Sequence, residues 1–355
     1  MNHVTVHVPS VEAAESGFEL REYLPTDAAQ AFKQLLLEEL PAFYDEVDET
    51  FPDSILNNAR SNRDPYGYFT TGKEIFASYI DGECAGFTVV TTKRGGSAKI
   101  GPTAVFARFR RSGVATALRD AVERKLFEER DVRKLYLTIS TSNNPALLFN
   151  LRRGFQIEGV LHQQYRKSGD EVVLGAFNPW LATQGNGSAE QPTPCFTEGR
   201  PQKAYLWHDP VADNLEAYLA PRMEPYFDGI DRSFYEAIVA ACEEYRQSYH
   251  QKGKRLVVSH ADGELTAAAV YVPKRGGSVK LSPCVADSAA AARALIDTCV
   301  ATARSEGRRK IYVHIPGPML ELAALITSMG FAIEAQMRDA YKQGVNMLVF
   351  GQVFS

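Results

Sequence analysis

Basic residues, a serine and a glycine separate an apolar run from an amphipathic run in the first half of the chain. The apolar run is Ala104–Phe106, and from Val114 to Ala121 apolar residues recur at helical spacing. A strand that turns through such a loop into a helix directs unpaired backbone N–H groups and the positive end of the helix dipole at one point. Because Gly113 has no side chain, an anion can approach the backbone there. The pattern predicts a phosphate-binding turn.

A second motif follows the apolar run Leu135–Ser140 and reads NNPALLFNLRRGF, from Asn143 to Phe155. It resembles the Asn-x-x-Ala-x-x-Leu-Tyr-x-x-x-Gly-Phe motif of the GCN5-related N-acetyltransferases (GNATs), with Phe149 in place of Leu. The earlier segment Arg110–Ala115 resembles the Gln/Arg-x-x-Gly-x-Gly/Ala loop of the same family. Neither the Rossmann triple-glycine pattern nor a P-loop occurs in that segment.

The resemblance implies that the basic loop holds the diphosphate of acetyl-coenzyme A (acetyl-CoA), which serves as cosubstrate. It also assigns the thioester and the pantetheine arm to backbone groups at the end of the preceding strand and to Asn143. The cofactor-binding residues predicted in this way are Ala104, Val105, Phe106, Arg110, Arg111, Ser112, Gly113, Val114, Ala115, Thr116 and Asn143.

The residues that many family members use for proton transfer are missing. Asn150 stands where they have a tyrosine general acid, and an amide does not give up a proton at useful pH. The central strand, Ala98–Thr103, also lacks the usual glutamate base. Acidic residues in the stretch Pro41–Asp53 are the remaining candidates, and we predict Glu46, Glu49 and Asn150 as catalytic residues.

The second half of the chain repeats the first, which makes it an internal control. Lys93–Ser97 returns 181 residues later as Lys274–Ser278, and Gly154–Glu158 returns 176 residues later as Gly330–Glu334. The basic glycine pair survives in both copies and is therefore interpreted as a hairpin turn rather than a phosphate site.

The acidic stretch diverges between the copies at two of its positions. Asp45 and Asp48 persist as aspartates in the second copy, which favours a structural role. Glu46 and Glu49 become Gly229 and Arg232 there. Those two glutamates are therefore the better functional candidates.

The second copy lacks the predicted diphosphate loop. Asp287–Ala292 occupies the place of Arg110–Ala115, and Met319 replaces Asn143. The basic residues and the glycine are gone, and a carboxylate is expected to repel the diphosphate. We therefore predict that the second copy does not bind coenzyme A.

Composition limits the remaining possibilities. The chain has 355 residues, a net charge of −4, and an apolar fraction of 45%. These values indicate a soluble protein of two domains, without a basic field for nucleic acid or anionic lipid. The sequence offers no membrane span or targeting segment, so a cytoplasmic location is expected. An odd number of unpaired cysteines disfavours disulfides and a metal site; they are Cys84, Cys195, Cys242, Cys284 and Cys299.

The predicted fold is α/β (α+β), with two tandem GNAT-like domains, each a mixed, mainly antiparallel twisted sheet flanked by helices. We place a catalytic, acyl-CoA-binding domain at 1–182, a linker rich in Gly, Ser and Pro at 183–199, and a degenerate domain at 200–355. The two domains are expected to pack as an intramolecular pseudo-dimer, with further homo-oligomerisation left open.

The predicted activity is N-acyl transfer, with acetyl as the expected group, by direct attack of an amine in the first domain. A small-molecule amine is the expected acceptor, because the acidic stretch favours a cation. Two alternatives remain: an acyltransferase whose donor is bound to a carrier protein, and a non-catalytic acyl-CoA sensor or scaffold.

Overall fold

The computed structural model describes residues 18–20, 26–61, 67–179, 181, 196–248 and 253–354. Its contacts divide the chain into two compact units, of which the first comprises 1–138 and 175–185 and the second 139–174 and 186–355. No helix within the described ranges is long and apolar enough to cross a membrane. Among the described residues, no cysteine forms a disulfide; these cysteines are Cys84, Cys242, Cys284 and Cys299.

The first unit is built on one sheet with the strand order β1-β2-β3-β4-β5. Neighbouring strands are antiparallel except β4 and β5, which are parallel. Helices pack on this sheet through buried residues such as Phe32 of α1 and Leu118 of α3. The elements are β1 (Phe18–Leu20), α1 (Thr26–Glu39), α2 (Thr50–Arg60), β2 (Thr70–Ile80), β3 (Glu83–Lys93), β4 (Ser97–Val105), α3 (Val114–Arg124) and β5 (Lys134–Ser140).

The second unit begins with the end of β5 and contains a longer sheet, with the order β7-β6-β13-β14-β12-β11-β10-β9-β8. Within it β11 and β12 are parallel. Its elements are α4 (Asn144–Arg152), β6 (Gln156–Arg166), most of β7 (Gly169–Phe177), β8 (Ala204–Leu206), α5 (Ala212–Met223), α6 (Arg232–Ser248), β9 (Arg255–Ala261), β10 (Glu264–Pro273), β11 (Ser278–Ala286), α7 (Ala289–Ser305), β12 (Lys310–Pro316), α8 (Leu320–Ser328), β13 (Ala332–Lys342) and β14 (Val345–Val353).

The order of elements confirms the repeat found in the sequence. The succession from β1 to β7, with α1 to α4 between the strands, recurs from β8 to β14 with α5 to α8. The compact units do not follow the copies, because β6 of the first copy pairs with β13 of the second and both strands belong to the second unit. The domain limits 1–182 and 200–355 remain a prediction, and 182–195 of the predicted linker lie outside the described residues.

Several repeated motifs have local structural causes. The basic glycine pair forms a turn in each copy. The Gly96 carbonyl accepts a hydrogen bond from the Arg133 N–H at 2.7 Å, and the Gly277 carbonyl accepts one from the Arg309 N–H at 2.8 Å. Gly154 and Gly330 end α4 and α8 with φ values of 83° and 86°, a left-handed conformation that favours glycine. These positions persist because the backbone requires them.

The contact between β6 and β13 depends on one glycine. Gly159 is the Cα partner of Ala335, and a Cβ added to Gly159 would lie 2.3 Å from the Ala335 Cα. Two reciprocal hydrogen bonds flank this pair: the Arg338 N–H donates to Glu158 at 3.1 Å, and the His162 N–H donates to Glu334 at 3.3 Å. The two glutamates are 176 residues apart, as are the two donors, so the contact has the symmetry of the repeat.

Substitution of Gly159 by valine should destabilise the protein by about 1–3 kcal/mol, because the side chain cannot enter the β6–β13 contact without displacing backbone. Chemical denaturation measures the change in the free energy of unfolding. Gly169→Ala is the control, since a Cβ there meets only the Ser140 hydroxyl, at 3.9 Å. Equal stabilities of the two variants would contradict this account of the contact.

Candidate functional site

The predicted phosphate loop lies between β4 and α3, as the sequence indicated. Gly113 is the N-cap residue of α3 and has a φ of 93°, and Arg111 before it also has a positive φ, of 66°. Side chains other than glycine rarely adopt the Gly113 conformation. The loop therefore needs glycine both for its backbone angles and for access to its backbone.

The first turn of α3 presents backbone donors that the protein does not use. Among the described residues, no hydrogen bond takes up the N–H groups of Val114, Ala115 or Thr116, whereas the Ala117 N–H already donates to the Gly113 carbonyl at 2.9 Å. Such N–H groups carry the positive partial charge of the helix dipole. This end of the helix can hold an anion through its main chain.

The side chains of the loop turn back toward the protein. Arg110 donates from Nε to the Val105 carbonyl at 3.2 Å and forms an ion pair with Glu39 at the end of α1. The Ser112 hydroxyl donates to the Phe109 carbonyl at 2.5 Å. Arg110 and Ser112 are thus engaged within the protein, and a direct phosphate contact by Arg110 or Arg111 remains a prediction.

The strand before the loop separates from its parallel neighbour. β4 and β5 pair from Ser97–Lys134 to Lys99–Tyr136, and no pairing between them continues beyond that point in the described chain. Ala104–Phe106 lie past the separation and are held instead by β3, where the Phe106 N–H donates to the Ala85 carbonyl at 3.1 Å. On the edge that faces away from β3, β5 does not pair with this segment, and the Val105 carbonyl accepts the hydrogen bond from Arg110.

Gly86 of β3 supports this arrangement and was not identified from the sequence. It pairs with Val105, and a Cβ at Gly86 would lie 2.8 Å from the Ala104 carbonyl oxygen and 3.0 Å from the Val114 side chain. A side chain would therefore push the end of β4 away from the start of α3. A glycine inside a strand is the signal that could have revealed this close approach.

Asn143 and Asn150 lie in the segment that belongs to the second unit. Asn143 is the N-cap of α4, and its Oδ1 accepts a hydrogen bond from the Ala146 N–H at 3.3 Å. Asn150 is buried; its Nδ2 donates to the Ala146 carbonyl at 2.8 Å, and its Oδ1 has no partner among the described residues. Asn150 thus offers an acceptor rather than an acid.

Glu46 and Glu49 are both exposed on the connection between α1 and α2. Glu46 has a φ of 58°, and Gly229, its counterpart in the second copy, has a φ of 69°. The first copy therefore carries a glutamate where the backbone favours glycine. Asp48, just before α2, instead accepts a hydrogen bond from the Thr50 N–H at 3.1 Å, which supports the structural role predicted for it.

The equivalent helix start in the second copy is occupied by the chain itself. The N–H groups of Ala289 and Ala290 donate to the carbonyls of Thr197 and Glu198 at 2.8 and 2.9 Å. The Ala291 N–H donates to the Ser288 hydroxyl at 3.3 Å. The first three N–H groups of α7 are therefore all hydrogen-bonded, whereas the first three of α3 are open.

Asp287 differs from the expectation of an uncompensated carboxylate. It receives two hydrogen bonds from Arg222 of α5, from Nε at 2.6 Å and from Nη2 at 3.0 Å. Its charge is thus paired within the second unit. Occupied N–H groups, rather than charge repulsion, distinguish this helix start from that of α3.

Comparisons with known proteins agree with the geometry. The model of the acetyltransferase (GNAT) family matches residues 31–155, and a model of an acetyltransferase (GNAT) domain matches residues 245–348. The chain belongs to the GNAT superfamily. It is a tandem member with two GNAT domains and is an acetyl-CoA-dependent acetyltransferase.

Individual relatives cover one part of this GNAT protein. An N-alpha-acetyltransferase of Sulfurisphaera tokodaii is 30% identical over 112 residues, which is 28% of this chain and 67% of the relative. Ard1 from Thermoplasma volcanium is a similar solved structure, with 21% identity, a TM-score of 0.38, and coverage of 45% of this chain and 97% of that one. Spermidine N-acetyltransferase from Vibrio cholerae is another similar solved structure, with 16% identity, a TM-score of 0.39, and coverage of 46% of this chain and 97% of that one.

Gly86→Ala should weaken acetyl-CoA binding about tenfold or more, because its methyl group separates the end of β4 from the start of α3. The matched control is Ala267→Gly, since Ala267 is the counterpart of Gly86 in the second copy and pairs with Ala286 as Gly86 pairs with Val105. Calorimetric titration measures both affinities. A folded Gly86→Ala variant with unchanged affinity would show that the close approach has no part in binding.

Proposed function

We propose that the first GNAT domain binds acetyl-CoA and transfers its acetyl group directly to an amine, while the second domain does not bind the cosubstrate. The observation that carries this proposal is the contrast between α3, whose first three N–H groups are open, and α7, whose first three N–H groups are hydrogen-bonded to Thr197, Glu198 and Ser288. A diphosphate requires such open donors.

The residues at the start of α3 have the chemistry to hold a diphosphate. The N–H groups from Arg111 to Thr116 are its proposed ligands, together with the left-handed Gly113 that leaves them accessible. The backbone of Ala104–Phe106 would hold the pantetheine arm and the thioester carbonyl, and Asn143 would contribute the amide Nδ2 that its capping bond leaves for donation. When bound, acetyl-CoA supplies a thioester whose acyl carbon an amine can attack.

The protein must still remove a proton from the attacking amine. We assign Glu46 as the proposed base, with Glu49 as the second candidate, because Glu46 keeps a glycine-type backbone conformation in the domain that has the open helix start. A residue held in such a conformation points to a functional reason for its side chain. The buried Oδ1 of Asn150 is proposed to accept a hydrogen bond from the thiol or the amine.

The acceptor is proposed to be a cationic small-molecule amine. GNAT acetyltransferases act on amines of small molecules or proteins. The exposed glutamates at 46 and 49 would attract a protonated amine before one of them accepts its proton.

We also propose that the two copies form an intramolecular pseudo-dimer around the β6–β13 contact. Support comes from Gly159 and Ala335, which pair with each other and are themselves 176 residues apart, the offset of the repeat in this region. A two-fold axis relates equivalent residues in this way. The proposal gives the second copy a structural role that does not need coenzyme A.

Gly113→Glu should abolish measurable acetyl-CoA binding, with a loss of about a hundredfold or more, because a side chain and a negative charge enter the diphosphate site. Ala290→Glu places the same change at α7 and should leave the affinity unchanged. Calorimetric titration of both variants is the measurement. If Ala290→Glu lost binding and Gly113→Glu did not, the acetyl-CoA site would lie in the second copy and the proposal would be wrong.

Glu46→Gly should lower kcat/KM for acetyl transfer about a hundredfold while the stability stays equal or rises, because the base is lost and the backbone strain is relieved. Thiol release from acetyl-CoA against a panel of amines measures the rate. Glu38→Gln on α1 is the exposed carboxylate control, and Glu49→Gln tests the second candidate. Full activity of the Glu46→Gly variant would exclude Glu46 as the base. If the unaltered protein bound acetyl-CoA but acetylated no amine of the panel, the proposed reaction would be wrong.

A further inference from the structure

A polar cluster that the proposed reaction does not use lies on the sheet of the second unit. Lys280 of β11, His314 of β12 and Tyr341 of β13 form it: the Lys280 ammonium donates to the Tyr341 hydroxyl at 3.2 Å, and that hydroxyl lies 3.4 Å from the His314 Nδ1. The pairing of β11 with β12 ends one residue before His314, at Leu281–Val313. The cluster therefore sits where the two parallel strands stop pairing.

Aromatic rings surround the cluster. The His314 ring lies 5.8 Å from the ring of Tyr312 and 6.3 Å from that of Tyr341, and Phe227 packs on Tyr341 at 5.2 Å. Tyr341 is buried, but His314 keeps part of its surface accessible to solvent. A small molecule in contact with the accessible part of His314 would also lie near the rings of Tyr312 and Tyr341.

The charges that act on His314 are positive. Burial lowers the pKa of His314 well below its usual value, and the ammonium groups of Lys280 and Lys274 lower that pKa further. Burial also raises the pKa of Tyr341, so its hydroxyl remains a neutral donor. On the loop between α5 and α6, the carboxylate of Asp228 pairs with Lys342 at 3.7 Å. The site thus combines a lysine charge with a neutral imidazole that an anion would help to protonate.

The imidazole is a feature of the second copy. Lys280 and Tyr341 have counterparts in Lys99 and Tyr165, but the counterpart of His314 is Thr138. The second copy therefore has a titratable group where the first copy has a threonine.

We propose that the second copy binds a small carboxylate at Lys280, His314 and Tyr341. One carboxylate oxygen accepts hydrogen bonds from the Lys280 ammonium and the Tyr341 hydroxyl, and the other accepts from His314 once its imidazole has taken up a proton. A carboxylate has two oxygens and can therefore accept hydrogen bonds from neighbouring donors. The proposed carboxylate site does not depend on the proposed transfer reaction, so the two proposals can be tested separately.

Proton uptake gives the proposal a specific readout. If the carboxylate stabilises the imidazolium, binding takes up as much as one proton, and the affinity falls as the pH rises from about 5 to 8. A polar cluster with a purely structural role would show neither effect.

The experiment is a calorimetric titration of the full chain with malonate, in two buffers of different ionisation enthalpy, together with NMR of the histidine rings. Sodium chloride at matched ionic strength is the control for screening. We expect saturable malonate binding with proton uptake and a rise in the titration midpoint of the His314 ring. Tighter binding of inorganic phosphate than of malonate would overturn the carboxylate assignment.

Variants locate the site. His314→Thr, which introduces the residue of the first copy, and Lys280→Met should each weaken malonate binding about tenfold, and His314→Thr should also remove its pH dependence. Lys280→Arg keeps the charge and should retain binding, which separates loss of charge from loss of folding. His260→Gln, far along the sheet on β9, is the control. Unchanged malonate affinity in a folded His314→Thr protein, or no binding to the unaltered protein, would overturn the proposal.

Discussion

The backbone N–H groups in the first turn of a helix are the constraint on which the rest of this structure depends. They must find an acceptor, and they differ in what they find in the two copies. At α7 the acceptors are the carbonyls of Thr197 and Glu198 and the hydroxyl of Ser288. At α3 no acceptor among the described residues takes these hydrogen bonds, and Gly113, which has no side chain, leaves the N–H groups accessible. One helix start is hydrogen-bonded by the chain itself, and the other keeps open N–H donors.

The same contrast explains why the second copy retains the fold without the loop motif. Residues 196–199 were predicted to be linker, yet Gly199 packs so closely on α7 that a Cβ there would lie 2.4 Å from the Ser288 hydroxyl. The carbonyls of Thr197 and Glu198 in this segment accept hydrogen bonds from the first two N–H groups of α7. Arg222 likewise compensates Asp287. The polar groups at the start of α7 are thus paired within the second copy's own chain.

Much of the fold could be predicted from local patterns. The repeat, the loop at Arg110–Ala115 and the helix end at Gly154 are set by residues close together in sequence, and the structure has each of them where the pattern placed it. Gly86 could not be assigned a role in the same way, because its importance comes from an approach of 2.8 Å to the carbonyl of a different strand. The closing of α7 by residues 197 and 198 depends on a tertiary contact that no spacing reveals. The assignments of Glu46, Glu49 and Asn150 rest on the repeat and on local geometry, and they remain predictions.

The number of acetyl-CoA molecules that bind per chain is the measurement that tests the central claim most directly. Calorimetric titration of the unaltered full-length protein counts both domains in one experiment, without relying on any substitution. The account predicts one site per chain, because the first N–H groups of α3 are open whereas those at the repeated helix start, α7, are hydrogen-bonded. Two equivalent sites per chain would contradict it, since the contacts of residues 197 and 198 with α7 would then have to yield to the cosubstrate.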